Sequence, residues 1–259
     1  MRSLGVVMML LAVGVSTAGA EVRTKVVEYK EGNTTLEGYL AWDDAVKGPR
    51  PGVLVVHEWT GLGKYVKSRA EQLAKLGYVA FGADIYGKGV RPSTPEEAGK
   101  TAGIYKGDRA LTRTRVNAAL EQLLANGNVD PRRVAAIGYC FGGMVVQELA
   151  RSGADLAGVV AFHSDLSNPS PDDDRNIKGK VLVLQGGDDP FVPTKDVEAF
   201  ESRMHAAGVN WQVVQYGGAV HSYTNPDAGN DNSKGAAYNA QADHRSWEAM
   251  RAFFGEIFK

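Results

Sequence analysis

The chain has 259 residues, 44% of them hydrophobic, and its 29 basic and 30 acidic side chains leave a formal net charge of −1. That is enough apolar material for one sizeable core, and so even a balance offers no long-range field for nucleic acid or an anionic membrane surface. A single cysteine excludes an internal disulfide, and no repeat or biased segment points to a fibrous or disordered chain.

Taken in order, Met1-Arg2, an apolar stretch from Leu4 to Val15 and the small residues Ser16 to Ala20 have the layout of a secretory signal peptide, with cleavage expected between Ala20 and Glu21. The apolar part is short for a bilayer span. Residues 1–20 are therefore read as a signal and 21–259 as one folded domain, periplasmic or secreted, with no membrane attachment after cleavage. Val22 to Tyr29 and Thr34 to Leu40, joined around Gly32-Asn33, predict an antiparallel hairpin. Gly52 to His57 is an apolar run suited to a strand buried on both faces. The loop Glu58-Trp59-Thr60-Gly61 follows, then an amphipathic helix over Tyr65–Leu76 closed by Gly77. Tyr78 to Ala83 is the next strand, with a loop from Asp84 to Pro92 at its end. A short helix is expected at Pro95, and a longer one over Asp108–Ala125 with Arg109, Arg113 and Arg115 on a solvated face.

Val134 to Ile137 reads as a buried strand. Gly138-Tyr139-Cys140-Phe141-Gly142 comes next, and Met144, Val145, Val146 and Leu149 then recur at helical spacing. Strand, tight turn and helix around G-x-Cys-x-G is the layout of a nucleophile elbow, in which flanking glycines allow the close backbone contacts of the turn. The helix N-terminus behind the sulfur favours thiolate. Strands at Gly158–Phe162, Lys180–Gln185 and Trp211–Tyr216, a helix over Thr194–Ala207, a long loop from Gly217 to Ala242 and a last helix over Ser246–Phe254 complete the chain. Alternating strands and helices predict an α/β fold: one mostly parallel sheet covered by helices on both faces.

The active site of such a sheet lies beyond the C-terminal ends of its strands. The strand from Lys180 ends in Gly186-Gly187-Asp188-Asp189-Pro190, and His221 follows the strand from Trp211. Nucleophile, acid, histidine is the chain order of α/β-hydrolases. A thiol attacking a carbonyl needs a base to hold it as thiolate, and the base needs a carboxylate to fix its tautomer. Cys140, His221 and Asp189 supply these types, Asp189 being preferred over Asp188 as the last residue of G-x-x-D. No H-x-H or H-E-x-x-H spacing supports a metal site. His163, His205 and His244 are read as structural.

The motifs His57-Glu-Trp-Thr-Gly61, Asp84-Ile-Tyr86, Gly138-Tyr-Cys-Phe-Gly-Gly143, Gly186-Gly-Asp-Asp-Pro-Phe-Val-Pro193 and His221-Ser-Tyr-Thr-Asn-Pro226 resemble the dienelactone hydrolase family of α/β-hydrolases, from about Val22 to Lys259. The resemblance implies the single-domain α/β-hydrolase fold, a Cys140–His221–Asp189 triad, ester or lactone hydrolysis through a thioester, and no cofactor. It implies that Glu58 accepts a hydrogen bond from the resting Cys140 thiol, and that the oxyanion hole is built from the amides of Trp59 and Phe141. Family members acting on dienelactone hold its carboxylate with two arginines. The corresponding places here hold Lys88 and Asn225, with Arg91 nearby, so Tyr86, Lys88, Arg91 and Asn225 are the candidate pocket residues. The expectation is a monomeric hydrolase of a small-molecule ester or lactone. A broader carboxylesterase or thioesterase with the same triad, and a non-catalytic binding protein on the same fold, are the alternatives. A thiol redox protein is disfavoured because no second cysteine exists to resolve a mixed disulfide.

Overall fold

The computed structural model describes residues 21–259, so the expected signal peptide lies outside the described residues. Eight strands form one sheet: β1 (Val22–Glu31), β2 (Thr34–Asp43), β3 (Arg50–Val56), β4 (Val79–Ala83), β5 (Val129–Tyr139), β6 (Gly158–Phe162), β7 (Lys180–Gly186) and β8 (Trp211–Tyr216). Their order is β1-β2-β4-β3-β5-β6-β7-β8. The first two strands make the expected hairpin, with Glu31 opposite Thr34 and Gly32 at φ 54° in the turn, and β2 runs antiparallel to β4. Every pairing from β4 through β8 is parallel.

The uninterrupted apolar runs of the inner strands follow from burial on both faces. In β3, Leu54 and Val56 pack into one core while Val53 and Val55 pack into the other, the period-2 alternation of a strand. All four side chains are fully buried, each worth roughly 1.5–3 kcal/mol relative to exposure. On the Leu54 side lie α2 (Pro95–Gly107), α3 (Arg109–Leu124), α4 (Phe141–Arg151) and α5 (Thr194–Ala207), contributing Tyr105, Val116, Met144 and Phe200. On the Val53 side lie α1 (Lys64–Lys75) and α6 (Ala240–Ile257), through Val66, Leu73, Met250 and Phe254. Among the described residues no helix is long and apolar enough to cross a membrane.

Three expectations need correction. The helix at Pro95 is not short: Thr94 caps it by accepting from the Glu97 amide, and it runs 13 residues. The arginines of α3 do not form a solvated face. Arg115 is buried against Glu31 and Thr34, and Arg113 bridges Glu148 and Asp173. Glu148 is itself fully buried in α4 beside Arg151, and a buried carboxylate requires such cationic partners. The last helix begins at Ala240 rather than Ser246, because the Asn239 side chain accepts from the Ala242 amide and starts it earlier.

Candidate active site

The strand–turn–helix at Cys140 is as tight as the glycine spacing implied. Cys140 adopts φ 53° and ψ −115°, a strained backbone for a non-glycine residue. A Cβ on Gly138 would lie 2.0 Å from the Gly142 carbonyl oxygen, and one on Gly142 would lie 2.4 Å from the Val56 oxygen. Both obstacles are main chain and cannot swing aside. Gly138→Ala is therefore expected to destabilise the protein by about 3 kcal/mol or more, checked by urea denaturation; a wild-type midpoint would show that the turn can open. The turn projects Cys140 at the N-terminus of α4. Phe141, its first residue, has an amide with no intrahelical acceptor.

His221 and Asp189 come to the same place. Asp189 is buried and its Oδ2 lies 2.7 Å from His221 Nδ1, while its Oδ1 accepts from the Phe191 amide at 2.9 Å. Asp188 is exposed, and its amide donates to the Ala219 carbonyl. The loop after β8 folds back to hold the histidine: its amide donates to Gly235 O, and its carbonyl accepts from Ala237 N. Burial alone would push the His221 imidazole down, but the Cys140 sulfur and the Asp189 carboxylate beside it override that and raise it above its ordinary value. Cys140, Phe141, Trp59, Glu58, His221 and Asn225 all line one cleft of about 870 Å³.

Around this centre the structure differs from several expectations. Glu58 does not take the resting thiol as its partner; it accepts from Asn225 Nδ2 at 2.6 Å and from Ser222 Oγ at 3.4 Å. An amide and a hydroxyl are better donors than a thiol. Burial still pushes the Glu58 carboxyl up, against these hydrogen bonds. Asn225 is thus a partner of Glu58. Tyr86 lies behind the cleft, its ring stacked with Tyr105 and tilted onto Phe141, and its hydroxyl donates to Trp59 O at 3.0 Å. Lys88 and Arg91 do not line the cleft. Lys88 pairs with Glu28 at the surface, and Arg91 donates to the carbonyls of Leu62, Gly87 and Val90.

Two histidines underlie the site: His57, which opens the motif His57-Glu-Trp-Thr-Gly61, and His163, read from the sequence as structural. His57 Nε2 accepts from the Ile85 amide, so its Nδ1–H donates to Glu58 O at 2.6 Å, tying down the peptide that precedes Trp59. His163, at φ 37°, meets Thr224 Oγ1 through Nε2 at 2.8 Å and stands edge-to-face with His221, centroids 5.1 Å apart. Its position at a strand end gave no signal of the second contact, which depends on the return of the β8 loop.

Burial drives His57 down to about 4 and His163 well below its ordinary value of 6.5. The unfolded chain protonates both near pH 6.5, whereas the folded chain keeps them neutral. Stability conferred above that pH is therefore lost as the pH falls below it, for His57 down to about 4. Each group contributes a slope of up to about 1.4 kcal/mol per pH unit. The urea midpoint is expected to drop from pH 7 to pH 5, and to drop less in His163→Asn, since asparagine tolerates positive φ. Equal drops in both proteins would mean that His163 ionises freely in the folded state.

A Synechocystis sp. protein provisionally named a carboxymethylenebutenolidase is 29% identical over 253 residues, covering 90% of this chain and 97% of that protein. The solved structure of m3DLH superposes with a TM-score of 0.89 at 40% identity, covering 92% of this chain and 99% of the other. A dienelactone hydrolase-like promiscuous phosphotriesterase from metagenomic libraries superposes with a TM-score of 0.88 at 42% identity, covering 93% and 100%. The dienelactone hydrolase family matches residues 36–258. The chain belongs to the dienelactone hydrolase family.

Proposed function

We propose that the protein hydrolyses carboxylic esters or lactones by covalent catalysis. Cys140 is the nucleophile, His221 the base and acid, Asp189 the carboxylate that orients it, and the Trp59 and Phe141 amides the oxyanion donors. The observation that carries this reading is the 2.7 Å contact from buried Asp189 to His221 Nδ1, which leaves Nε2 for the sulfur on its strained turn. The thiolate attacks the carbonyl carbon, and the negative charge that develops on oxygen meets the two amides. Collapse expels the alkoxide, which takes the proton held by His221, and leaves a thioester on Cys140. His221 then removes a proton from water, water attacks the thioester, and the sulfur departs as thiolate. Tyr86 and His57 act through the main chain, fixing the peptide units on either side of Trp59, the first of which carries the Trp59 N–H.

The likeness to a phosphotriesterase over nearly the whole chain favours a second substrate class for the same centre, neutral phosphotriesters attacked at phosphorus. The stretch 1–20 supports export, with a mature N-terminus at Glu21; N-terminal sequencing of the secreted or periplasmic protein checks this, and an intact Met1 would contradict it. A panel of p-nitrophenyl esters, thioesters, lactones and one aryl dialkyl phosphate tests the activity. A burst of nitrophenolate followed by slower steady turnover is expected as the acyl-enzyme accumulates. Failure to exceed the buffer rate on every ester and lactone would remove the reading.

A further inference from the structure

The cleft carries information about substrate charge that the triad does not. Among its described lining residues there is no arginine, and its lysines are Lys64, Lys106 and Lys234, all at the exposed rim. Lys106 faces Asp165 at 3.8 Å and Lys234 faces Asp231 at 3.9 Å. The one charged side chain buried within the lining, apart from His221 itself, is Glu58. Arg91 is tied to backbone carbonyls and lies 3.6 Å from the buried Asp84 carboxylate. A substrate carboxylate entering this site would shed water without finding a bidentate partner, and would do so near a second carboxylate.

What the cleft does present is aromatic. Trp59 follows β3 and Phe191 follows β7, and the strand order places β5, which Cys140 follows, between them. Both residues line the cleft, and they are 39% and 61% exposed. A single exposed aromatic needs no explanation, but two facing one cleft across a nucleophile leave apolar surface to be covered. The Phe191 ring is held in place: it stands perpendicular to His221, centroids 5.5 Å apart, and rests on Gly235, where a Cβ would lie 3.2 Å from its Cζ. Gly235 at φ 77° is one of the residues that clasp His221, so the ring and the imidazole are positioned by one loop.

We propose that the cleft takes a neutral ester whose aromatic or branched apolar group sits between Trp59 and Phe191, in place of a substrate anchored by its own carboxylate. The proposal rests on the ester-hydrolase reading above and adds its substrate class. Three esters with one leaving group test it: p-nitrophenyl acetate, p-nitrophenyl phenylacetate and mono-p-nitrophenyl succinate. The wild type is expected to favour the phenylacetate over the anionic succinate by about 100-fold in kcat/KM, and Phe191→Ala to lower the phenylacetate-to-acetate ratio of kcat/KM about tenfold. Acetate turnover with succinate equal to or better than phenylacetate would overturn the proposal and leave the hydrolase reading standing. An unchanged ratio in Phe191→Ala would overturn the aromatic seat. No turnover of any of the three would remove both.

Discussion

Cys140→Ala is expected to lower kcat for ester hydrolysis by a factor on the order of 10⁴ or more, as loss of a covalent nucleophile does. The variant keeps the Cβ that the strained turn already accommodates at φ 53°. Circular dichroism and the melting temperature should therefore stay near wild type, which separates loss of chemistry from loss of fold. His221, Asp189 and the two free amides remain in place, so substrate still binds and the small residual rate reflects water attacking a polarised carbonyl. Because the chain has a single cysteine, no other thiol can substitute. Turnover within tenfold of wild type would show that the sulfur is not the nucleophile.

Asp189→Asn is expected to cost about 10³- to 10⁴-fold in kcat. The carboxylate accepts from His221 Nδ1 and from the Phe191 amide, and its side chain is fully buried. An amide in this position keeps one oxygen for the Phe191 N–H and turns its NH₂ toward the imidazole. His221 must then carry its proton on the nitrogen facing the sulfur, the wrong tautomer for a base, and the imidazolium loses its counter-charge. The control is Asp188→Asn at the exposed neighbour, expected to stay within about twofold because surface changes away from such features have small effects. Matching losses in the two variants would assign the effect to the turn before Pro190 and not to the carboxylate on His221.

Much of the fold was legible because its signals are local. Continuous apolar runs such as Val53 to Val56 mean burial on both faces, and the glycines at 138 and 142 announce a turn where main chain meets main chain. The chain order of Cys140, Asp189 and His221 is also visible, since each follows a strand and the C-terminal ends of parallel strands lie on one edge. What was not legible depends on pairs far apart in sequence. Glu58 meets Asn225 across 167 residues, and nothing local distinguishes that contact from one to Cys140. Arg91 lies in the right stretch to reach the cleft, yet the carbonyls of a tight loop capture its guanidinium. His163 looked like a strand-end histidine and stands against His221 only because the β8 loop returns. The α3 arginines read as solvent-facing because their partners, Glu148 and Glu31, lie on other elements. Helix periodicity says which residues share a face, but not what covers that face.

The most direct measurement is intact-mass and peptide-mapping mass spectrometry of the wild-type protein quenched in acid during turnover of a slow p-nitrophenyl ester. The predicted result is one added acyl mass, located on the peptide carrying Cys140, released by hydroxylamine and absent from Cys140→Ala. Full turnover with no acyl adduct, or an adduct on another residue that persists in Cys140→Ala, would contradict covalent catalysis through Cys140.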